Sequence, residues 1–152
     1  MKAAGILGQI RRLQKRGKKI VFTNGCFDLI HAGHVRILKQ AKSLGDVLVV
    51  GVNTDPSVRR LKGQGRPILG LKDRIEVLSG LRSVDFVLPF GEDTPAKLIA
   101  AVRPDVLIKG GDWPTGRMAG SREVLAGGGK VVSGLYIKGK STSRIIDKIR
   151  KG

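Results

Sequence analysis

Asp46 opens the run Val47-Leu48-Val49-Val50-Gly51-Val52, in which no position carries a polar side chain. A strand with one wet face alternates apolar and polar residues. A strand apolar throughout must be covered on both faces, which is the situation of a parallel sheet between two helical layers. This run therefore constrains what the segments around it can become.

Those segments comply. Ile6, Leu7, Ile10 and Leu13 share one face of a helix over Ile6–Arg16 that stops at Gly17, and Lys19-Ile20-Val21-Phe22-Thr23 is a β-rich run broken by Gly25. Val35, Ile37, Leu38, Ala41 and Leu44 give a second apolar helical face over Gly33–Leu44, closed by Gly45. Strand, glycine loop, helix and strand make a βαβ unit. Further on, the polar, glycine-rich stretch Asn53–Gly70 reads as a loop over the site, followed by a helix over Asp73–Leu81 and a strand over Val84–Leu88. Thr94, with Pro95 at the first helical position, starts a helix through Val102, and Asp105–Ile108 is again strand-like. Gly110–Gly120 reads as a loop, Arg122–Leu125 as a short helix, Lys130–Leu135 as a strand, and Ser141-Thr142-Ser143 as the cap of a helix through Ile149. The expected fold class is α/β: a Rossmann-like three-layer sandwich with a mostly parallel sheet and its ligand crevice at the carboxyl ends of the strands. At 152 residues the chain fits one domain, divided here into a basic N-terminal helix over 1–17 and the main domain over 18–152.

Charge adds a partner question. With 29 Lys+Arg and 12 Asp+Glu the net charge is +17. Residues 1–19 carry seven basic groups and no acid, and residues 138–152 carry six and one, so the ends supply +12 and the middle only +5. With six aromatic residues in all and no binding motif beside the charge, nucleic acid is a poor match, and the excess reads as solubility or loose attraction to anions. No apolar run approaches the ~18 residues of a spanning helix, and one cysteine, Cys26, excludes an internal disulfide framework, so the expected location is the cytoplasm and no membrane partner is expected.

The chemistry gathers after the first strand. Thr23-Asn24-Gly25-Cys26-Phe27-Asp28-Leu29-Ile30-His31-Ala32-Gly33-His34 holds both histidines, at i and i+3, in a glycine loop that leads into a basic helix. Gly25 and Gly33 let backbone N–H groups approach a phosphate, and the helix N-terminus adds positive potential. Asp28 is the sole acidic residue nearby, so no metal site is assigned, and Cys26 is read as packing, with no covalent step needed. Arg36, Lys39 and Lys42 form the basic side of the helix.

Asn24-Gly25-Cys26-Phe27-Asp28 followed by His31-Ala32-Gly33-His34 resembles the nucleotidyltransferase superfamily, with its (T/N)-G-x-F-D segment and H-x-G-H motif. Further segments resemble the branch of adenylyltransferases acting on D-glycero-β-D-manno-heptose 1-phosphate: Asn53-Thr54-Asp55, Arg59-Arg60-Leu61-Lys62-Gly63, Arg66-Pro67, Arg74, Glu92–Pro95, Lys109-Gly110-Gly111-Asp112, Ala119-Gly120-Ser121 and Ser141–Ser143. The similarity covers roughly residues 18 to 150. It implies ATP and a sugar 1-phosphate as substrates, Mg²⁺ carried with ATP, a stand-alone form served by a separate sugar kinase, and a homodimer.

The resemblance also implies roles. His31, His34 and Lys62 are the expected catalytic residues, neutralising phosphate charge, with Lys62 reaching in from a flexible loop. Asn24, Gly25, Cys26, Phe27, Gly33, Lys109, Gly111, Asp112, Ser141, Thr142 and Ser143 are expected to bind the nucleotide, and Asp28, Asp55 and Arg74 the acceptor. Arg74 faces either phosphate or solvent. Trp113 stands where relatives usually have tyrosine, and Leu69-Gly70-Leu71-Lys72 where they often have Asn-Pro and acidic residues. A cytidylyltransferase acting on glycerol 3-phosphate or a similar alcohol phosphate is the rival enzyme, against which Tyr136 stands because that branch has arginine there. The rival of another class is a basic nucleic-acid-binding protein on the same fold.

Overall fold

The computed structural model describes residues 2–111, 117–134 and 139–152. In chain order the elements are α1 (Ala3–Lys15), β1 (Ile20–Gly25), α2 (Ala32–Ser43), β2 (Val47–Asn53), α3 (Asp55–Lys62) and α4 (Leu71–Ser79), then β3 (Phe86–Phe90), α5 (Ala96–Val102), β4 (Val106–Lys109), α6 (Ser121–Ala126), β5 (Lys130–Ser133) and α7 (Thr142–Arg150). The strands form one sheet of order β3-β2-β1-β4-β5 in which every pairing is parallel. The α/β Rossmann-like class read from the sequence is the observed one.

All seven residues of β2 are buried, as the apolar run requires. Alternation along the strands sorts the core into two layers. Val21, Leu48, Val50 and Ile108 point toward Leu38 and Ala41 of α2 and Leu78 of α4. Ile20, Phe22, Val49 and Leu107 point the other way, toward Ile10 of α1, Ile99 of α5 and Val124 of α6. Helix α1 is tied down further: Gln14 Nε2 donates to the carbonyls of Val102 (3.1 Å) and Arg103 (3.0 Å), and Arg11 to those of Ala101 and Val102. These are carbonyls at the end of α5, where intrahelical partners run out.

The two edges of the sheet differ in charge. At the amino ends, carboxylates accept N–H groups at or beside the strand starts: Asp46 from Lys19 (2.8 Å), Asp105 from Ile20 (2.8 Å) and Asp85 from Leu48 (2.7 Å). At the carboxyl ends lie the glycine loop, both histidines and several cations, so the crevice side of the sheet is the one prepared for an anion.

Three expectations need correction. The stretch Asn53–Gly70 is not all loop, because Asp55–Lys62 is helical. Charged residues hold half of its positions and only Ser57 and Val58 are buried, too little apolar periodicity to signal a helix. Lys62 is therefore the last residue of α3 and does not sit in a flexible loop. The third strand lies two residues later than expected and runs through Pro89, which an edge strand tolerates because its outer side needs no N–H. Helix α4 likewise begins two residues earlier than expected, at Leu71 with Gly70 as N-cap.

Candidate active site

β1 and β4 are the central neighbours from which the chain winds in opposite directions, and ligands of open α/β sheets bind at the carboxyl ends around such a switch point. A cleft of about 630 Å³ lies there. Its floor is the turn after β1. Phe27 holds a left-handed backbone conformation, φ 47°, which a bulky side chain rarely adopts and which marks functional turns. The turn folds the Phe27 ring back over Gly25, where an added Cβ would stand 3.0 Å from it.

The histidines follow. His31 is the N-cap of α2 and its Nδ1 accepts from Gly33 N at 3.0 Å; His34, three residues on, accepts through its Nδ1 from His31 N at 3.2 Å. This is a reciprocal capping box built from two imidazoles. The rings stack with centroids 3.8 Å apart, and the Phe27 ring lies against His34 at 5.3 Å. Burial, reinforced by His31, depresses the His34 pKa to about 4, and burial with the nearby Lys140 lowers that of His31. Both rings are thus neutral near pH 7. A neutral imidazole that accepts through Nδ1 carries its proton on Nε2. The capping box therefore fixes two Nε2–H donors.

Gly33 is required by this arrangement. A Cβ there would stand 2.8 Å from His31 Cε1 and 3.1 Å from Lys140 Cβ. Ser141, Thr142 and Ser143 begin α7 beside the same wall: Ser141 Oγ accepts from Arg144 N (3.1 Å), and Thr142 Oγ1 donates to Leu29 O (2.9 Å), locking α7 to the β1–α2 loop. Two helix N-termini consequently meet at one cleft, where their N–H groups favour anions. At the end of β4, burial lowers the pKa of Lys109, with Cys26 opposing and Lys62 adding to the effect; a poorly solvated ammonium of this kind gains from an anion. The Cys26 thiol is pushed up by burial, against the opposing pull of Lys62, Arg74 and Arg66, and its Sγ lies 3.8 Å from Asn53 Oδ1. A thiol held protonated suits packing.

Of the residues expected at the site, Asn24, Gly25, Cys26, Phe27, Asp28, His31, Gly33, His34, Lys62, Lys109, Gly111 and Ser141–Ser143 line the cleft. Asp112, with Trp113 and Tyr136, lies outside the described residues. Asp55 and Arg74 are brought together but not into the cleft. Arg74, 1% exposed, donates to Asp55 (2.7 Å), Cys26 O (2.6 Å) and Leu69 O (3.0 Å). These bonds brace α3, α4 and the β1 turn, with the Arg74 side chain buried and that of Asp55 33% exposed. Asp28 is similarly engaged: its carboxylate accepts from Arg66 Nε (2.9 Å) and from the N–H groups of Ile68 and Leu69. Burial alone would raise its pKa, but the Leu69 and Ile68 N–H groups and Arg66 outweigh that and hold it below the usual carboxylate value. Asn53, Arg66, Asp93, Thr94 and Lys140 also line the cleft and were not singled out as site residues in the sequence. Asn53, ending β2, and Asp93 and Thr94, following β3, occupy the carboxyl edge, so their strand-end positions and the resembling segments Asn53–Asp55 and Glu92–Pro95 that contain them are the usable signal.

A parallel sheet of this order, with imidazole donors, lysines and helix N-termini converging on a glycine turn, defines an α/β protein whose switch point is suited to an anion. Residues 22–145 match the cytidylyltransferase-like family. The chain belongs to that family of nucleotidyltransferases, and is an enzyme of that class. It is 51% identical over 147 residues to the bifunctional protein HldE of Vibrio cholerae serotype O1, covering 97% of this chain and 31% of the relative. Against the bifunctional protein HldE of Nitrosococcus oceani the identity is 53% over 146 residues, covering 96% and 31%. The chain thus spans about a third of the length of these relatives. A lipopolysaccharide core biosynthesis protein from Thermoplasma volcanium superposes with TM-score 0.63 at 30% identity, over 82% of this chain and all of that one. Pantoate-beta-alanine ligase from Francisella tularensis, TM-score 0.58 at 17% identity over 90% of this chain and 67% of the ligase, shares the fold.

Proposed function

We propose that the protein transfers AMP from ATP to D-glycero-β-D-manno-heptose 1-phosphate, giving ADP-heptose and pyrophosphate. The observation that carries this reading is the pair of Nε2–H donors fixed by the His31–His34 capping box beside two helix N-termini. The choice of acceptor is supported by the similarity to HldE proteins over nearly the whole chain and to the lipopolysaccharide core biosynthesis protein.

The chemistry asked of the residues is modest. A sugar phosphate oxygen is already ionised near neutral pH, its second pKa being about 6. It attacks the α-phosphorus in line; the new P–O bond forms as the Pα–O bond to the β-phosphate breaks, and the electron pair leaves with pyrophosphate. No general base is needed. What the protein supplies is positioning and charge neutralisation. His31 and His34 donate to the triphosphate through Nε2, the α7 N-terminus holds its far end, and Lys62 and Lys109 offset the charge gathering on the leaving group. Neutral imidazoles suit this role because they donate without an initial proton uptake.

Mg²⁺ would enter on the triphosphate. Among the described residues no three of His, Cys, Asp and Glu gather as a metal site, and Asp28 is occupied by Arg66 and two N–H groups. The described donor set suits anions, so the described residues do not fit a cage of their own for the ion and no step runs through one. A kinase activity supplying the sugar 1-phosphate and a homodimeric assembly belong to the same proposal. Among the described residues no helix is long and apolar enough to cross a membrane.

The second reading, a cytidylyltransferase for an alcohol phosphate, is favoured by the description of the matching family. Pyrophosphate release across a panel of ATP and CTP with heptose 1-phosphate, other sugar 1-phosphates and glycerol 3-phosphate separates the two. ATP with heptose 1-phosphate is the expected productive pair; turnover confined to CTP with glycerol 3-phosphate refutes the assignment.

A further inference from the structure

Three cations, Lys62, Arg74 and Arg66, lie close enough to the Cys26 thiol to pull on its proton. Arg74 is consumed by its three bonds to Asp55, Cys26 and Leu69. Arg66 is not. Its Nε donates to Asp28, whose side chain is fully buried, while its own side chain keeps 14% exposure and lines the cleft. Among the described residues neither terminal nitrogen of this guanidinium has a partner. Asp28 also accepts the N–H groups of Ile68 and Leu69, so one carboxylate fixes both the Arg66 side chain and the backbone following it. A guanidinium held through Nε presents its opposite edge as a rigid pair of donors, the geometry that receives two oxygens of a phosphate.

We propose that Arg66 is a phosphate-binding residue of the cleft and that Asp28 is its positioning residue. Asp28, which the sequence placed at the acceptor, then acts on the ligand through Arg66 and does not touch it. The ligand group is a phosphate dianion, either of the acceptor or of the nucleotide. This rests on the nucleotidyl-transfer reading above for its role in turnover, but not for binding.

The test compares wild type, Arg66→Gln, Arg66→Lys, Asp28→Asn and the double variant Asp28→Asn/Arg66→Gln, titrating inorganic phosphate and ATP separately by calorimetry. Loss of a charge-assisted pair is expected to weaken one titrant about tenfold or more in Arg66→Gln, inorganic phosphate if the site serves the acceptor and ATP if it serves the nucleotide. Arg66→Lys restores only part of the affinity, because a point charge lacks the second donor. Asp28→Asn weakens the same titrant, and the double variant is no weaker than Arg66→Gln alone, as expected when one residue works through the other. Thermal melts confirm that each variant is folded. Unchanged affinity for both titrants in a folded Arg66→Gln overturns the phosphate site, and additive losses in the double variant overturn the positioning role. Wild-type turnover with the substrate panel is scored separately, so an inactive wild type refutes the substrate assignment while leaving the Arg66 titrations decisive.

Discussion

The imidazoles of His31 and His34 stack 3.8 Å apart because each ring accepts a main-chain N–H of the other's turn through Nδ1. One local motif thus caps a helix and aims two donors. In the proposed reaction catalysis and helix stability are coupled at these residues and can be separated by substitution.

His31→Ala removes both functions: helix capping worth about 0.5–2 kcal/mol and one transition-state donor. His31→Asn restores a capping oxygen without the imidazole. The expected result is a melting temperature near wild type for His31→Asn and below it for His31→Ala, with turnover down about a hundredfold or more in both. His34→Ala is expected to lose turnover on the same scale with its fold retained. Near-normal pyrophosphate release in either alanine variant would remove the histidines from the site.

Gly33→Ala should favour the helix, since alanine exceeds glycine in helix propensity by about 1 kcal/mol. Its Cβ, however, would meet His31 Cε1 at 2.8 Å and Nδ1 at 2.9 Å, so the ring must move. Turnover is expected to fall about tenfold or more while the unfolding midpoint changes by only a few degrees. Denaturation and steady-state kinetics on one preparation test the split; loss of both in proportion would make Gly33 a folding residue only.

The depressed pKa of His34 carries a signed consequence. The unfolded histidine takes up its proton near 6.5, while the folded one stays neutral until about 4. Between these values the unfolded state binds more protons, so this stabilising contribution is complete above 6.5 and is lost progressively as pH falls toward 4. His34→Gln keeps an acceptor for His31 N and cannot titrate. Its melting temperature should decline less than that of wild type between pH 6.5 and 4, measured by thermal melts at matched ionic strength. Parallel curves would contradict a buried neutral His34. Asp28, held below 3.8, contributes a separate loss at lower pH.

Arg74→Met leaves the carbonyls of Cys26 and Leu69 without their donor and Asp55 without its partner. Leaving part-buried acceptors without their donor, with Asp55 itself one-third exposed, costs about 1–3 kcal/mol. Chemical denaturation is expected to show a loss of that order, with the turnover per folded molecule reduced less than in the histidine variants. A stability within 1 kcal/mol of wild type, on the scale of a neutral surface change, would show that the brace is not structural.

The sequence disclosed most where physics acts locally. Val47–Val52 announced a strand covered on both faces, and all of β2 is buried. The glycine turn with His31 and His34 announced a phosphate loop, and both histidines line the cleft. It disclosed less where a fold joins distant residues. Asp28 and Arg66 are 38 positions apart, and Asp55 and Arg74 are 19, so their pairing, and hence which charge faces the ligand, depends on tertiary packing. Helix α3 escaped notice because Val58 is its only buried apolar residue.

In the proposed reaction AMP passes from ATP directly to a sugar phosphate with no covalent enzyme intermediate. Incubation with ATP labelled at the α-phosphorus and heptose 1-phosphate should place the label in ADP-heptose, leave the pyrophosphate unlabelled and leave none on the protein. Label retained in ATP or bound to the protein, while a parallel incubation with CTP labelled at the α-phosphorus and glycerol 3-phosphate yields labelled product, would contradict it.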